Sequence, residues 1–360
     1  MNTPRSIIGK LEERKQKNAF RELFDLSGYI DFFSNDYLGL SKWTSEMSGS
    51  HGSTGSRLIS GNSIRSEEIE NELASFFNSK AGLLFNSGYD ANLGLLSSVP
   101  QKSDTVIYDQ LIHASIRDGV RLCNASSFSF KHNDLEDLKA KLLRANGERY
   151  VVVESIYSMD GDAAPLKELV KVCEENNAYL IVDEAHAGGI FGPNGKGLVT
   201  ANGLDDAVFA KLITFGKAYG SHGAIVLGSN DLRDYLINFA RSLIYTTALP
   251  LNVQEKNLRA VHKAAELNQQ NELQELINLF KSKVMKGHFE AIESDSPIQC
   301  MIIPGNQEAK ALADKIINEQ IAVKAILSPT VPEGKERLRF CVHSYNTHAE
   351  IEKLAQIIHG

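Results

Sequence analysis

The stretch YLIVDEAHAGG, Tyr179 to Gly189, decides how the rest of the chain is read. Its first four residues, Tyr179-Leu180-Ile181-Val182, have the aromatic and β-branched character of a buried strand. Asp183, Glu184 and His186 follow at once. Charge that enters a protein interior must be paired, hydrogen-bonded or put to use. The question is what these three groups do.

Working outward, the same continuous apolar texture recurs in GLLFNS from Gly82, TVIYD from Thr105, YVVVES from Tyr150, KLITFGK from Lys211 and GAIVLGS from Gly223. Runs without alternation are strands covered on both faces. Helical stretches separate them, which predicts an α/β fold with a mostly parallel sheet. Ligands of such sheets sit beyond the carboxyl ends of the strands. Ser87-Gly88-Tyr89, Ser155 to Ser158, Asp183 to His186 and Thr214 to Lys217 all fall at those ends.

Residues 6–24 are expected to form an amphipathic helix carrying Ile7, Ile8, Leu11, Phe20 and Leu23, and residues 48–63 a Gly/Ser loop. RSEEIENELASFFN from Arg65 then opens a helix with acids in its first turn. After TALPLN at 247–252 come a long polar helical region at 253–287, PIQCMIIPG, a helix at 307–319, AVKAILSPT, RLRFCVHS and a last helix from His348. The expected division is an N-terminal helix and arm at 1–47, a large α/β domain at 48–248 and a small α+β domain at 249–360.

The net charge of −7 provides no basic footprint for nucleic acid, and no apolar run reaches the length of a membrane span. Cys123, Cys173, Cys300 and Cys341 lack CxxC or metal-ligand spacing, so they are expected to be free thiols in a reducing compartment. The charged start, MNTPRSIIGKLEERKQKNAF, lacks the apolar core of a signal peptide, and a cytoplasmic protein is the expectation.

Asp183-Glu184-Ala185-His186 spells a helicase box, in which acids hold Mg²⁺. That chemistry needs an upstream G-x-x-x-x-G-K-[ST] loop. Gly9-Lys10, Gly195-Lys196 and Gly216-Lys217 are followed by Leu, Gly and Ala, so none opens one. Pyridoxal 5′-phosphate (PLP) chemistry uses the same residue types differently. Its ring is an electron sink only while the pyridine nitrogen stays protonated, and a desolvated carboxylate such as Asp183 would keep it so. A lysine must bond the aldehyde. Lys217, in TFGKAYG, follows an apolar strand, although a strand-end lysine can also simply snorkel to water.

Read together, the motifs decide between these. FSNDYLGL (33–40), GSTGSRLISGN (52–62), FNSGYDANLG (85–94), HASIRDG (113–119), HND (132–134), ESIYSMDGDAAPL (154–166), VDEAH (182–186), TFGKAYGSHGA (214–224) and PTVPEGKERLRF (329–340) occur in one order. From about Ile7 to the carboxyl terminus the chain resembles the α-oxoamine synthases, PLP enzymes of the aspartate-aminotransferase fold (fold type I).

That resemblance implies a decarboxylative condensation of an amino acid with an acyl thioester. It points to L-alanine and a pimeloyl thioester, carried on coenzyme A or a carrier protein. Other members join glycine to acetyl or succinyl thioesters, or serine to palmitoyl ones, with the same PLP residues. It further implies that Lys217 bonds the cofactor, Asp183 pairs with the ring nitrogen, His186 bonds the ring oxygen and His113 stacks on the ring. Ser158 would reach the ring oxygen or a neighbouring group, and Thr214, with the N–H groups of Gly88 and Tyr89, the phosphate. Thr246 and Thr247 fall where the family lends a hydroxyl to the partner subunit's phosphate, which requires a homodimer. Arg339 would clamp the amino-acid carboxylate, assisted by Asn35, with Arg337 on the same strand face and only motif alignment to choose between the two arginines. Arg21 and Thr330 match substrate-contacting positions. The loop GSTGSRLISGN is expected to shape the acyl channel, and HND to be a turn and helix cap. Ser66 stands where the family usually has histidine.

Overall fold

The computed structural model describes residues 3–23, 25–43, 49–287 and 289–360. In chain order the strands are β1 (Ile30–Asp31), β2 (Ala81–Phe85), β3 (Thr105–Asp109), β4 (Ser126–Phe130), β5 (Arg149–Glu154), β6 (Ala178–Asp183), β7 (Ala210–Thr214), β8 (Ala224–Gly228), β9 (Ile298–Ile302), β10 (Ile321–Ala322), β11 (Lys324–Ile326) and β12 (Arg337–Cys341). Seven of them make one sheet in the order β2-β8-β7-β6-β5-β3-β4. Only β8 runs against its neighbours; the other pairings are parallel. The stretch Ala178–Asp183 is a central strand, and its successive side chains enter two different cores. Ile181 packs with Val152 and Leu212, while Leu180 and Val182 pack with Val151 and Val153. That is why the run is apolar without alternation.

All six runs expected as strands are strands. The seventh, β4, has no such run. Its sequence SSFSF alternates, and four of its five residues are exposed at the sheet edge, so it carries no buried-strand signal.

The chain divides into two compact units. The larger holds residues 35–158 and 163–270 and contains the seven-stranded sheet. The smaller holds residues up to Ser34, Met159–Asp162 and Asn271–Gly360. This differs from the expected division at 47/48 and 248/249. The N-terminal segment joins the C-terminal unit because β1 pairs in parallel with β10, and Cys341 N–H donates to Phe32 O at 2.9 Å. At the other boundary, helix Leu251–Leu267 stays with the larger unit and ends at Asn268 in the left-handed region (φ 47°), before helix Gln270–Lys283. The helical region expected at 253–287 is therefore two helices.

The first helix is also shorter than expected, Arg5–Gln16, with left-handed Asn18 just beyond it (φ 50°). None of its residues is buried. In the smaller unit β11, β12 and β9 form an antiparallel sheet, accompanied by helices Asn306–Asn318 and His348–His359. A reciprocal capping box between Thr347 and Glu350 starts the last helix. The four cysteines are free thiols. Among the described residues no helix is long and apolar enough to cross a membrane.

Candidate active site

The three ionisable groups after β6 separate by role. Glu184 is fully buried and accepts the N–H groups of Leu198 (2.6 Å) and Val199 (3.0 Å), the start of a short helix. Burial pushes its carboxyl up to about 7. Asp183 turns elsewhere. Its Oδ2 accepts from Asn92 Nδ2 at 2.7 Å and its Oδ1 from the Ala185 N–H at 2.9 Å. Asn92 Nδ2 also donates to Ser115 Oγ at 3.1 Å, and Ser115 Oγ lies 2.8 Å from His113 Nδ1. His113 is the N-cap of helix Ala114–Leu122 and accepts the Ser115 N–H at Nδ1, 3.2 Å away. A neutral ring there carries its proton on Nε2. Burial, more than any nearby charge, pulls the imidazole below its ordinary pKa.

His186 faces Lys217. Nζ of Lys217 is 2.8 Å from His186 Nε2, and His186 Nδ1 is 2.8 Å from the Tyr37 hydroxyl, which donates to Asn35 Oδ1 at 3.1 Å. An ammonium can only donate, and the Tyr37 proton points to Asn35. Both ends fix the same tautomer: Nδ1–H donates to Tyr37, and Nε2 accepts from Lys217. Tyr37 and His186 are buried, which keeps water from the middle of this hydrogen-bond chain. The paired glycines after His186 let the backbone close on the lysine loop. Gly189 has φ 87°, and a Cβ there would stand 2.8 Å from that of Ala218.

An anion cradle completes the cavity. Helix Gly88–Ser98 begins at Ser87, whose Oγ and carbonyl take the N–H groups of Asp90 and Ala91, each at 3.0 Å. The first-turn N–H groups of Gly88 and Tyr89 have no intrahelical partner to take them. Together with Thr214 these residues line a cavity whose walls also include His113, Asp183 and Lys217. The donor set fits PLP: helix-terminal N–H groups and a hydroxyl for the phosphate, a carboxylate for the protonated ring nitrogen, and a lysine for the aldehyde.

Other expected residues stand one contact further out or elsewhere. The Ser158 N–H donates to Glu154 Oε2 at 3.2 Å. Thr246 Oγ1 and the Thr247 carbonyl accept from Asn86 Nδ2 at 3.2 and 2.8 Å, within the same chain. Arg21, Thr330 and Arg339 belong to the smaller unit. There Arg21 Nη2 donates to Thr330 Oγ1 at 3.3 Å, so two residues 309 positions apart meet. Arg339 is buried in β12 and donates to Cys341 Sγ at 3.1 Å. Arg337 forms an ion pair with Asp160 and donates from Nε to the Lys335 carbonyl. In the loop at 52–62, Arg57 forks onto buried Glu70 at 2.7 and 3.1 Å. In HND, Asp134 caps helix Leu135–Leu142, as expected. Ser66 is buried, with its Oγ 2.9 Å from Ser63 Oγ at a helix start.

Sequence reasoning missed Tyr37, Asn92 and Glu154. A signal existed for Glu154, because YVVVES drives an apolar run into an acid just as YLIVDE does. Asn92 is one helical turn after Gly88 on an otherwise apolar face. Tyr37 lies within the motif FSNDYLGL, but nothing in that run points to His186, which it reaches across 149 positions.

Residues 27–358 match the family described as aminotransferase class I and II. Among curated proteins the chain is similar to an 8-amino-7-oxononanoate synthase of Emericella nidulans, 41% identical over 98% of this chain and 94% of that protein. Another 8-amino-7-oxononanoate synthase, from Cellvibrio japonicus, is 36% identical over 98% and 94%. Among solved structures it is similar to the 8-amino-7-oxononanoate synthase of Francisella tularensis, with TM-score 0.79 and 30% identity over 92% of this chain and 97% of that one. A structure of SPT with PLP internal aldimine gives TM-score 0.89 and 26% identity over 98% and 96%.

Proposed function

The chain belongs to the aminotransferase class I and II family, and on that footing we propose that it condenses L-alanine with a pimeloyl thioester to give 8-amino-7-oxononanoate, CO₂ and the free thiol. The observation that carries this reading is the convergence of Asp183, Lys217, His113 and a phosphate-ready helix terminus on one cavity, in a chain 41% identical to a synthase of that name.

Bound PLP supplies the electron sink that makes the alanine α-proton removable. The chain's own residues do the rest. Asp183, oriented by hydrogen bonds from Asn92 and the Ala185 N–H, would pair with the ring nitrogen. Gly88, Tyr89 and Thr214 would hold the phosphate, and His113 would cover the ring. Lys217 would bond the cofactor and, once displaced by the substrate amine, serve as base at the α-carbon. His186 Nε2, already an acceptor, would take the ring hydroxyl's hydrogen bond. Ser158 would add a further contact near it, and Asn35 and Arg339 would bind the amino-acid carboxylate. The ion pair of Arg337 with Asp160 supports assigning that task to Arg339. Arg21 and Thr330 would meet the acyl substrate. A homodimer in which Thr246 or Thr247 serves the partner's phosphate, and a cytoplasmic location, complete the proposal.

The test is thiol release by the PLP-loaded protein, with alanine, glycine and serine each offered pimeloyl-, acetyl-, succinyl- and palmitoyl-coenzyme A. Alanine with pimeloyl-coenzyme A is expected to lead by at least about tenfold, the discrimination that a few pocket contacts provide. A lead by glycine with acetyl-coenzyme A would replace the substrate assignment.

A further inference from the structure

Glu154, which the chemistry above does not use, ends β5 in register with Asp183 at the end of β6. The two residues are 3% and 5% exposed. Neighbouring strands lie about 4.8 Å apart, so two carboxylates meet there with little water to screen them. Like charges so placed do not both ionise; one group keeps a proton.

The donors decide which. Both oxygens of Asp183 already accept hydrogen bonds, from Asn92 and the Ala185 N–H. Glu154 accepts the Ser158 N–H on Oε2, while Oε1 is buried with no hydrogen-bond partner among the described residues. Glu154 lines the same cavity as Asp183, His113 and Lys217. The His113 N–H also faces this carboxyl, but Oε1 accepts no well-formed hydrogen bond and is the oxygen left to carry a proton. Burial and the Asp183 charge push the Glu154 carboxyl up to about 8, against the pull of Lys217 and the N–H groups of His113 and Ser158. His113 adds no countercharge, because burial favours its neutral form.

We infer that Glu154 is a positioning residue: it holds a proton on Oε1, offers that O–H to the cavity as a donor, and leaves Asp183 the single anion of the pair. The role rests on the PLP reading above. Loss of this proton places two anions side by side and removes the donor, so turnover acquires a basic limb near the Glu154 titration at about 8.

The test uses PLP-loaded wild type, Glu154→Gln, Glu154→Asp and Glu154→Ala. Wild type is expected to show an infrared carboxylic-acid band at pH 7 that bleaches as pH passes about 8. Glu154→Asp keeps such a band, and Glu154→Gln loses it, leaving only the Glu184 contribution that bleaches near 7. Because the amide still donates but cannot ionise, Glu154→Gln also loses the basic limb of the kcat–pH profile. Glu154→Ala, with no donor, falls at least tenfold below Glu154→Gln. A wild type that turns over without a Glu154-dependent band, or a limb that survives in Glu154→Gln, overturns this inference alone. A chain that takes up no PLP overturns the proposed function and this role with it.

Discussion

Strand β7 carries a lysine at each end, and the two have opposite surroundings. Lys211, near its start, is 1% exposed and saturated with acceptors: Asp205 Oδ1 and the Phe77 carbonyl, each at 2.5 Å, with Thr200 Oγ1 at 3.4 Å. Lys217, three residues past its end, faces the imidazole of His186 and lines a cavity with Asp183. An ammonium locked between a carboxylate and a carbonyl is committed to its place. One that faces an imidazole nitrogen beside a cavity can change partners. Both are lysines flanking an apolar run, so burial alone does not identify a reactive one.

The widest separation is expected from truncating each lysine. Lys217→Ala should lower turnover on the order of 10⁴-fold or more and abolish the visible absorbance of covalently bound PLP, with the thermal midpoint nearly unchanged. Lys211→Met should do the reverse. It leaves Asp205 and the Phe77 carbonyl without their cation, costs about 3 kcal/mol of stability, and keeps turnover per folded molecule. Chemical denaturation and single-turnover assays on both variants check this. Equal loss of activity in the two would erase the distinction.

The neighbouring acids at the end of β6 repeat the contrast more weakly. Asp183→Asn should lower turnover on the order of 10³-fold, because an amide cannot hold a ring nitrogen protonated. Glu184→Gln alters the cap on Leu198 and Val199 and the contact with Ser155, away from the cavity, and should spare turnover. Its signature is the pH dependence of stability. Glu184 has a folded-state pKa raised to about 7 from 4.5, so the folded protein holds its proton where the unfolded chain has lost it. The stabilisation is full below 4.5 and is lost as pH rises through about 7. A glutamine does not titrate, so the thermal midpoint of Glu184→Gln should gain on wild type between pH 5 and pH 8. A constant difference across that range would show that Glu184 is ionised throughout.

How much of this was legible in the sequence follows from range. Continuous apolar runs located six strands of the main sheet because each reports its own burial. Acids and lysines at the run ends located Asp183 and Lys217 because strand ends in a parallel sheet share one edge. What local pattern cannot report is pairing across the chain. The unit boundary moved because β1 pairs with β10 some three hundred residues away. SSFSF carries no strand signal because an edge strand need not be apolar on both faces. Glu154 matters through its register with Asp183, which appears only when β5 and β6 are set side by side.

Tyr37 is the residue hardest to foresee, and its prediction is the smallest. Its hydroxyl receives the His186 Nδ1–H and so fixes Nε2 as the acceptor for Lys217. Tyr37→Phe keeps the ring and its packing but leaves that N–H without its acceptor, at a cost of about 1–3 kcal/mol that the imidazole can relieve by shifting its proton to Nε2. In that tautomer Nε2 presents a proton to Lys217 instead of a lone pair. Turnover should fall about tenfold, in keeping with loss of one hydrogen bond, with KM for alanine little changed. The ¹⁵N shifts of His186 in the cofactor-free protein should move from the Nδ1–H pattern toward the Nε2–H pattern. Lys211 has no such relay behind it, so the same measurement separates a lysine made ready by its neighbours from one merely neutralised by them. A Tyr37→Phe protein whose turnover falls while the His186 tautomer stays put would mean the hydroxyl acts on something other than this histidine.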